Sequence, residues 1–184
     1  MIIEAVEKKL REARFFLDKM IEHEQKAFND KEPFDYYLSA FLNAGRTVGN
    51  RLRHEHKAMH QRCRKHWREA IYLRWRDDWE ATLTQPQRDL ITFMINDRDV
   101  EVHEAGSTSR VVKIENRKLG PGDHTFAGGT MYVAGPPDIF PLATIPAPAY
   151  YFTIDGAERK ATEACGEYLG LLRQMVAKFK ADHA

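Results

Sequence analysis

Helix breakers in this chain are crowded into one stretch. Of the eleven glycines and eight prolines in 184 residues, seven and six fall between residues 106 and 156. Glycine and proline weaken a helix interior by about 1 and 3 kcal/mol, so long helices belong on either side of that stretch and short strands with turns within it. Before it, Ile3, Val6, Leu10, Ala13, Leu17 and Met20 recur at steps of three and four, which predicts a first helix with a narrow apolar seam running to about Ala27. After Pro33, Phe34, Leu38, Phe41, Val48 and Leu52 repeat the pattern, with Gly45 and Gly49 four apart as small residues that admit another helix. Helical character continues to about Trp79, with Trp67, Ile71 and Trp75 on one face and a break expected between Glu55 and Gln61. Thr84 and Pro86 form a helix start that leads through Leu90, Ile91, Met94, Ile95 and Val102. The closing helix spans Glu158 to about Lys180, with Ala161, Cys165, Tyr168, Leu169, Leu172 and Val176 as its periodic face.

Between the last two long helices, Arg110–Glu115, Thr130–Ala134 and Ala149–Ile154 read as strands. The expected fold is therefore mainly α, an antiparallel helical bundle with one small antiparallel β excursion at residues 106–156, in a single domain over 1–184. At 43% hydrophobic residues, a chain of this length builds a core without disulfides or a structural metal. Cys63 and Cys165 match no disulfide or metal spacing and read as reduced thiols, which points to the cytoplasm. Glutamates in the opening MIIEAVEKKL argue against a signal peptide, and prolines interrupt the longest low-charge run, so no membrane association is expected.

A net charge of +1 conceals a strong asymmetry. The window from Arg46 to Arg76 carries ten Arg and Lys against Glu55 and Glu69, a local net of +8. His54, His56, His60 and His66 lie in the same window and would add charge below neutral pH. Such a stretch suits a phosphate backbone, with Arg46, Arg51, Arg53, Arg62, Arg64 and Lys65 as the candidate RNA contacts; the alternative is a solvated helix face paired with acidic neighbours.

In the helix that begins near Pro86, about 100° per residue brings Asn96, Asp99 and His103 within roughly 60° of one another as a polar stripe. Arg98 projects elsewhere, into the arc of Leu90, Ile91, Met94, Ile95 and Val102. A cation in an apolar arc needs a carboxylate or a phosphate, because only charge-assisted hydrogen bonds offset its desolvation. Those two readings stay open on the pattern alone.

The run R-D-V-E-V-H at Arg98–His103, followed by Glu104 and preceded by an apolar helix, resembles the signature of the HEPN superfamily, an arginine and a histidine separated by four to six intervening residues. FDYYLSAFLNAGRTVGNRL (Phe34–Leu52) and CGEYLGLLRQMVAKF near the end are similar to the second and last helices of certain bacterial HEPN groups. Four Arg–His pairs in the chain satisfy the spacing, where about two arise by chance, and only Arg98 with His103 has this context. The resemblance implies an HEPN-like bundle and a metal-independent, cofactor-free endoribonuclease, toxin-like or defence-associated. It assigns catalysis to Arg98, Asp99 and His103, with Asn96 and Glu104 in support. As partners it implies RNA, a second copy of the chain across a composite site, and a protein antitoxin. The seam from Ile3 to Met20, with Gly45 and Gly49, is the expected dimer contact.

A different class remains open: a non-catalytic dimeric helical module that binds RNA or a partner protein through the same basic window. His56, His60 and Cys63 at i, i+4, i+7 could in principle converge on a metal, but flanking arginines oppose it and no fourth ligand is apparent, so they read as part of a cationic face. Trp67, Trp75 and Trp79 read as core residues rather than base-stacking platforms.

Overall fold

The computed structural model describes residues 3–26, 30–63, 66–103, 110–118, 124–127, 130–133 and 144–183, and their side chains apart from 97–103, 110, 117–118, 124–127, 130–133 and 144–146. Helices α1 (Ile3–Glu24), α2 (Lys31–Arg62), α3 (Glu69–Glu80) and α4 (Gln85–His103) come first. Strands β1 (Arg110–Lys118), β2 (His124–Ala127), β3 (Thr130–Val133), β4 (Thr144–Ile154) and β5 (Ala157–Lys160) follow, and α5 (Ala161–Asp182) closes the chain. The protein is mainly helical, with its β structure between α4 and α5 as expected. No helix among the described residues is long and apolar enough to cross a membrane.

The apolar faces read from the sequence meet in one core. Val6, Ala13, Leu17 and Met20 of α1 are buried with Phe34, Leu38, Phe41, Val48 and Leu52 of α2 and with Cys165, Leu169 and Val176 of α5. The α1 seam, expected to meet a second copy, is thus covered within the chain: α1 runs antiparallel to α5, with Glu7 paired to Lys180 at one end and Glu24 Oε2 accepting from Thr162 Oγ1 at 2.9 Å at the other. The two glycines of α2 differ. A Cβ on Gly45 would lie 2.8 Å from Cε1 of Tyr168 and 3.4 Å from Leu172, so α5 packs directly on the bare backbone there. A Cβ on Gly49 would meet nothing within 4 Å.

Helix α2 continues unbroken to Arg62, past the break expected between Glu55 and Gln61. The reversal comes later because Trp67 is drawn back against α2: its Nε1 donates to His56 Nδ1 at 3.0 Å, and Lys57 Nζ lies 5.5 Å from its ring centroid. Trp67 and Ile71 consequently do not share a helix face with Trp75, since Trp67 precedes α3 and Ile71 is 41% exposed. Trp79 is buried, and Trp67 and Trp75 pack partly buried against the core, as expected of core residues. The start of α4 forms as read. Gln87 Oε1 accepts from the Thr84 N–H at 3.0 Å, and the Thr84 carbonyl accepts from the amides of Gln87 and Arg88 at 3.1 Å.

Strands β1, β4 and β5 form an antiparallel sheet in the order β1-β4-β5, and β2 pairs with β3. Two strands escaped the sequence reading, β2 and β5, and α5 begins at Ala161 rather than at Glu158. Asp155 (φ 49°) and Gly156 (φ 75°) form a two-residue left-handed turn that pairs Ile154 with Ala157 and turns residues 157–160 back along β4. Pro146 and Pro148 sit in β4 where its partner among the described residues is β1. Being two residues apart, they lack an N–H on the same edge, so the other edge keeps its ladder. The sheet anchors through Tyr150, stacked on Phe34 of α2 at 3.9 Å, and Phe152, 5.0 Å from Phe93 of α4.

The glycine pair should separate in stability measurements. Gly45→Ala must push a buried Tyr168 ring aside and should cost about 1–3 kcal/mol, whereas Gly49→Ala removes helix-weakening freedom and should stabilise by up to about 1 kcal/mol. Urea unfolding of the two variants checks the opposite signs.

Candidate functional site

Arg98, Asp99 and His103 lie in the last turns of α4, which runs without interruption from Gln85 to His103. Continuity of this helix places Arg98 and His103 about 7.5 Å apart along its axis and Asp99 one turn before His103. Their side chains, and all of Glu104, lie outside the described residues. Upstream on the same helix Leu90, Ile91 and Met94 are buried, Ile95 is 37% exposed and Asn96 is exposed, so the apolar arc that contains Arg98 emerges from the core at Ile95.

Ile91 and Ile95 form one wall of a cleft of about 330 Å³ bounded by α2, α3, α4 and α5. Its floor is made of buried side chains, among them Tyr72, Trp79, Tyr168, Leu172 and Met175. Arg46, Arg53 and Arg76 line it from α2 and α3. Arg53 is held by Glu69, and Arg76 Nε lies 3.2 Å from Glu80 Oε1. Tyr72 donates its hydroxyl to the Gly49 carbonyl at 3.1 Å, which ties α3 to α2 beside the cleft, and burial pushes that phenol up to about 12.

The basic window therefore does not form a single face. Arg46 and Arg53, seven residues apart on α2, share the cleft side, whereas Arg51 and Arg62 are exposed and lie about 140° and 160° around the helix from Arg46. Arg64 and Lys65 lie outside the described residues. Arg76, in the same window but not among the candidate contacts, also lines the cleft, and its ion pairs are with Asp77 and Glu80 of its own helix.

His56 departs from the expected cationic face. It is 2% exposed, its Nδ1 accepts from Trp67, and the rings of His60 and His183 lie 4.3 and 5.2 Å away. Burial first, then the charges of His60 and His183, lower its pKa to about 4, so His56 is neutral where the other window histidines were expected to add charge. His60 and His183 direct Nδ1 to the carbonyls of His56 and Phe179 at 3.0 and 2.9 Å. Cys63 is exposed, and no three His, Cys, Asp or Glu side chains among the described residues gather as a metal set. This cluster joins the ends of α2 and α5, where Trp75 Nε1 donates to Asp182 at 2.7 Å.

Comparison of the chain with known protein families, characterised proteins and solved structures finds no match.

A histidine kept neutral by burial makes folding depend on pH. The unfolded imidazole takes a proton as pH falls through about 6.5 and the folded one only near 4, so the stability His56 confers is present above about pH 6.5 and lost on acidification toward pH 4. Melting temperature should therefore drop across that window more in the wild type than in His56→Gln, which retains an acceptor for Trp67. Parallel pH profiles for the two proteins would disprove it.

Proposed function

We propose that this protein is a metal-independent endoribonuclease of HEPN type. The observation that carries the reading is the unbroken course of α4, which keeps Arg98, Asp99 and His103 on consecutive turns of one helix beside an arginine-lined cleft. In this reaction the RNA 2′-oxygen attacks the adjacent phosphorus and the P–O5′ bond breaks. The 2′-hydroxyl proton passes to a base, the 5′-oxygen receives one from an acid, and the products are a 2′,3′-cyclic phosphate and a free 5′-hydroxyl. An imidazole can accept or deliver the proton in either role, the part assigned to His103. Arg98 stabilises charge gathering on the phosphoryl oxygens by bidentate hydrogen bonds. Asp99, one turn before His103, orients the ring, with Asn96 and Glu104 in support. Arg46 and Arg53, with Arg51, Arg62, Arg64 and Lys65 as peripheral contacts, hold the RNA backbone.

The HEPN reading also supplies a composite site, in which the α4 helices of two protomers place two arginines and two histidines around one phosphate. Because the α1 seam is covered within the chain, the dimer would form through the α4 end. A toxin-like or defence-associated role, with a protein antitoxin as partner, follows from the same reading. Sedimentation at micromolar concentration should show a dimer; monomer alone would remove the composite site.

Cleavage of RNA by pure protein in EDTA tests the chemistry. His103→Ala should leave the fold intact and lower the rate about 10²- to 10⁴-fold. Arg98→Ala should also fail to cut while melting no earlier than wild type. If Arg98 instead answers an internal carboxylate, its removal should cost about 3–5 kcal/mol. A stable, fully active His103→Ala protein would overturn the ribonuclease reading.

A further inference from the structure

The α2/α3/α4/α5 cleft combines an apolar floor with a charged lining. Its floor is aromatic and aliphatic, with Tyr72, Trp79 and Tyr168 all buried, and its charged lining is Arg46, Arg53 and Arg76 together with the carboxylates of Glu69 and Glu80. About 330 Å³ is at the lower end of the range for small-molecule sites. Arg53 donates to Glu69, and Arg76 donates to Asp77 while its Nε lies 3.2 Å from Glu80, but these carboxylates do not use every N–H of the two guanidiniums. A guanidinium has five N–H donors and a carboxylate engages at most two, so Arg53 and Arg76 are oriented while retaining donors for an incoming anion.

Gly49 adds an independent observation. It sits in the interior of a 32-residue helix, where glycine is unfavourable by about 1 kcal/mol, yet no neighbour requires its missing side chain. The space it leaves empty is part of the cleft. A Cβ there meets nothing within 4 Å, so a larger residue would extend into the cleft.

We propose that this cleft holds one nucleotide of a single-stranded RNA, its base on the apolar floor and its phosphates at Arg46, Arg53 and Arg76. The position along α4 relates the cleft to the reacting bond: Ile95 lines the cleft, and Arg98 follows by three residues, about 4.5 Å further along the axis. A chain with its scissile phosphate at Arg98 therefore has a neighbouring nucleotide at the cleft. That placement rests on the ribonuclease reading; the affinity of the cleft for a nucleotide does not. Base stacking and phosphate pairing together favour single strands, because a duplex keeps its bases inside.

Binding is measured by fluorescence anisotropy of a labelled hexa-adenylate RNA, in the His103→Ala background so that the oligonucleotide survives, with adenosine 5′-monophosphate as a second ligand. Gly49→Leu should weaken oligonucleotide binding at least 10-fold and melt no earlier than its parent. Arg53→Gln should lower the log-log salt slope by about 0.7, the increment for one phosphate on a single strand. Undiminished oligonucleotide affinity in a folded Gly49→Leu protein overturns the proposal. So does binding of the mononucleotide alone, which would make this a free-nucleotide site, or loss of dimerisation in Gly49→Leu without loss of RNA affinity, which would make it a protein interface. These results are independent of cleavage. A wild type that binds through the cleft but does not cut fails the ribonuclease reading alone, and one that cuts while Gly49→Leu binds normally fails the cleft alone.

Discussion

The arrangement of the helices turns on how closely α5 approaches α2. At Gly45 the approach is limited only by backbone, and the ring of Tyr168 fills the place where any other side chain would stand. Phe41 meets the same ring edge-on at 6.2 Å, so one aromatic side chain packs against α2 at two successive turns. The consequences spread outward. With α2 and α5 side by side, α1 lies across both and buries its seam, and the C-terminal ends of α2 and α5 come together around His56, Phe179 and His183. Tyr168 also forms part of the cleft floor, so the contact that closes the core sets how deep the cleft is.

Charge follows the same geometry. A window with a local net of +8 becomes, once folded, an inward group of Arg46, Arg53 and Arg76 at the cleft and an outward group that includes Arg51 and Arg62. The acidic residues nearest in sequence are not idle, since Glu69 and Glu80 hold two of the inward arginines. A linear count of charge cannot make this division, because it depends on where α3 turns back along α2. Trp67 sets that turn by reaching His56, a contact between a residue outside any helix and one buried in α2.

The β segment shows which local signals carry and which are easily passed over. Asp155-Gly156 is among the strongest short hairpin signals a sequence contains, and it makes the following AERK a strand paired with β4 rather than the first turn of α5. Gly128-Gly129 flagged the β2–β3 connection in the same way. Of the proposed site, the helix that carries Arg98 and His103 was legible from its cap and its apolar period. The cleft beside it was not, because its lining comes from four helices and is spread along the chain from Gly45 to Met175.

What the sequence determined by itself was local and periodic: five helices with the buried faces of α1, α2, α4 and α5, the start of α4 at Thr84, a β segment between α4 and α5, and the spacing of Arg98, Asp99 and His103 on one helix. These depend on steric preference and on burial of one face, which act over a few turns and are written in neighbouring residues. Tertiary structure alone decided that the α1 seam is covered from within, that Gly45 is a contact and Gly49 an opening, that His56 is neutral, and that three arginines of the basic window face an aromatic cleft. Each of those depends on which surface arrives opposite a residue, and packing between distant segments sets that only after the helices have formed.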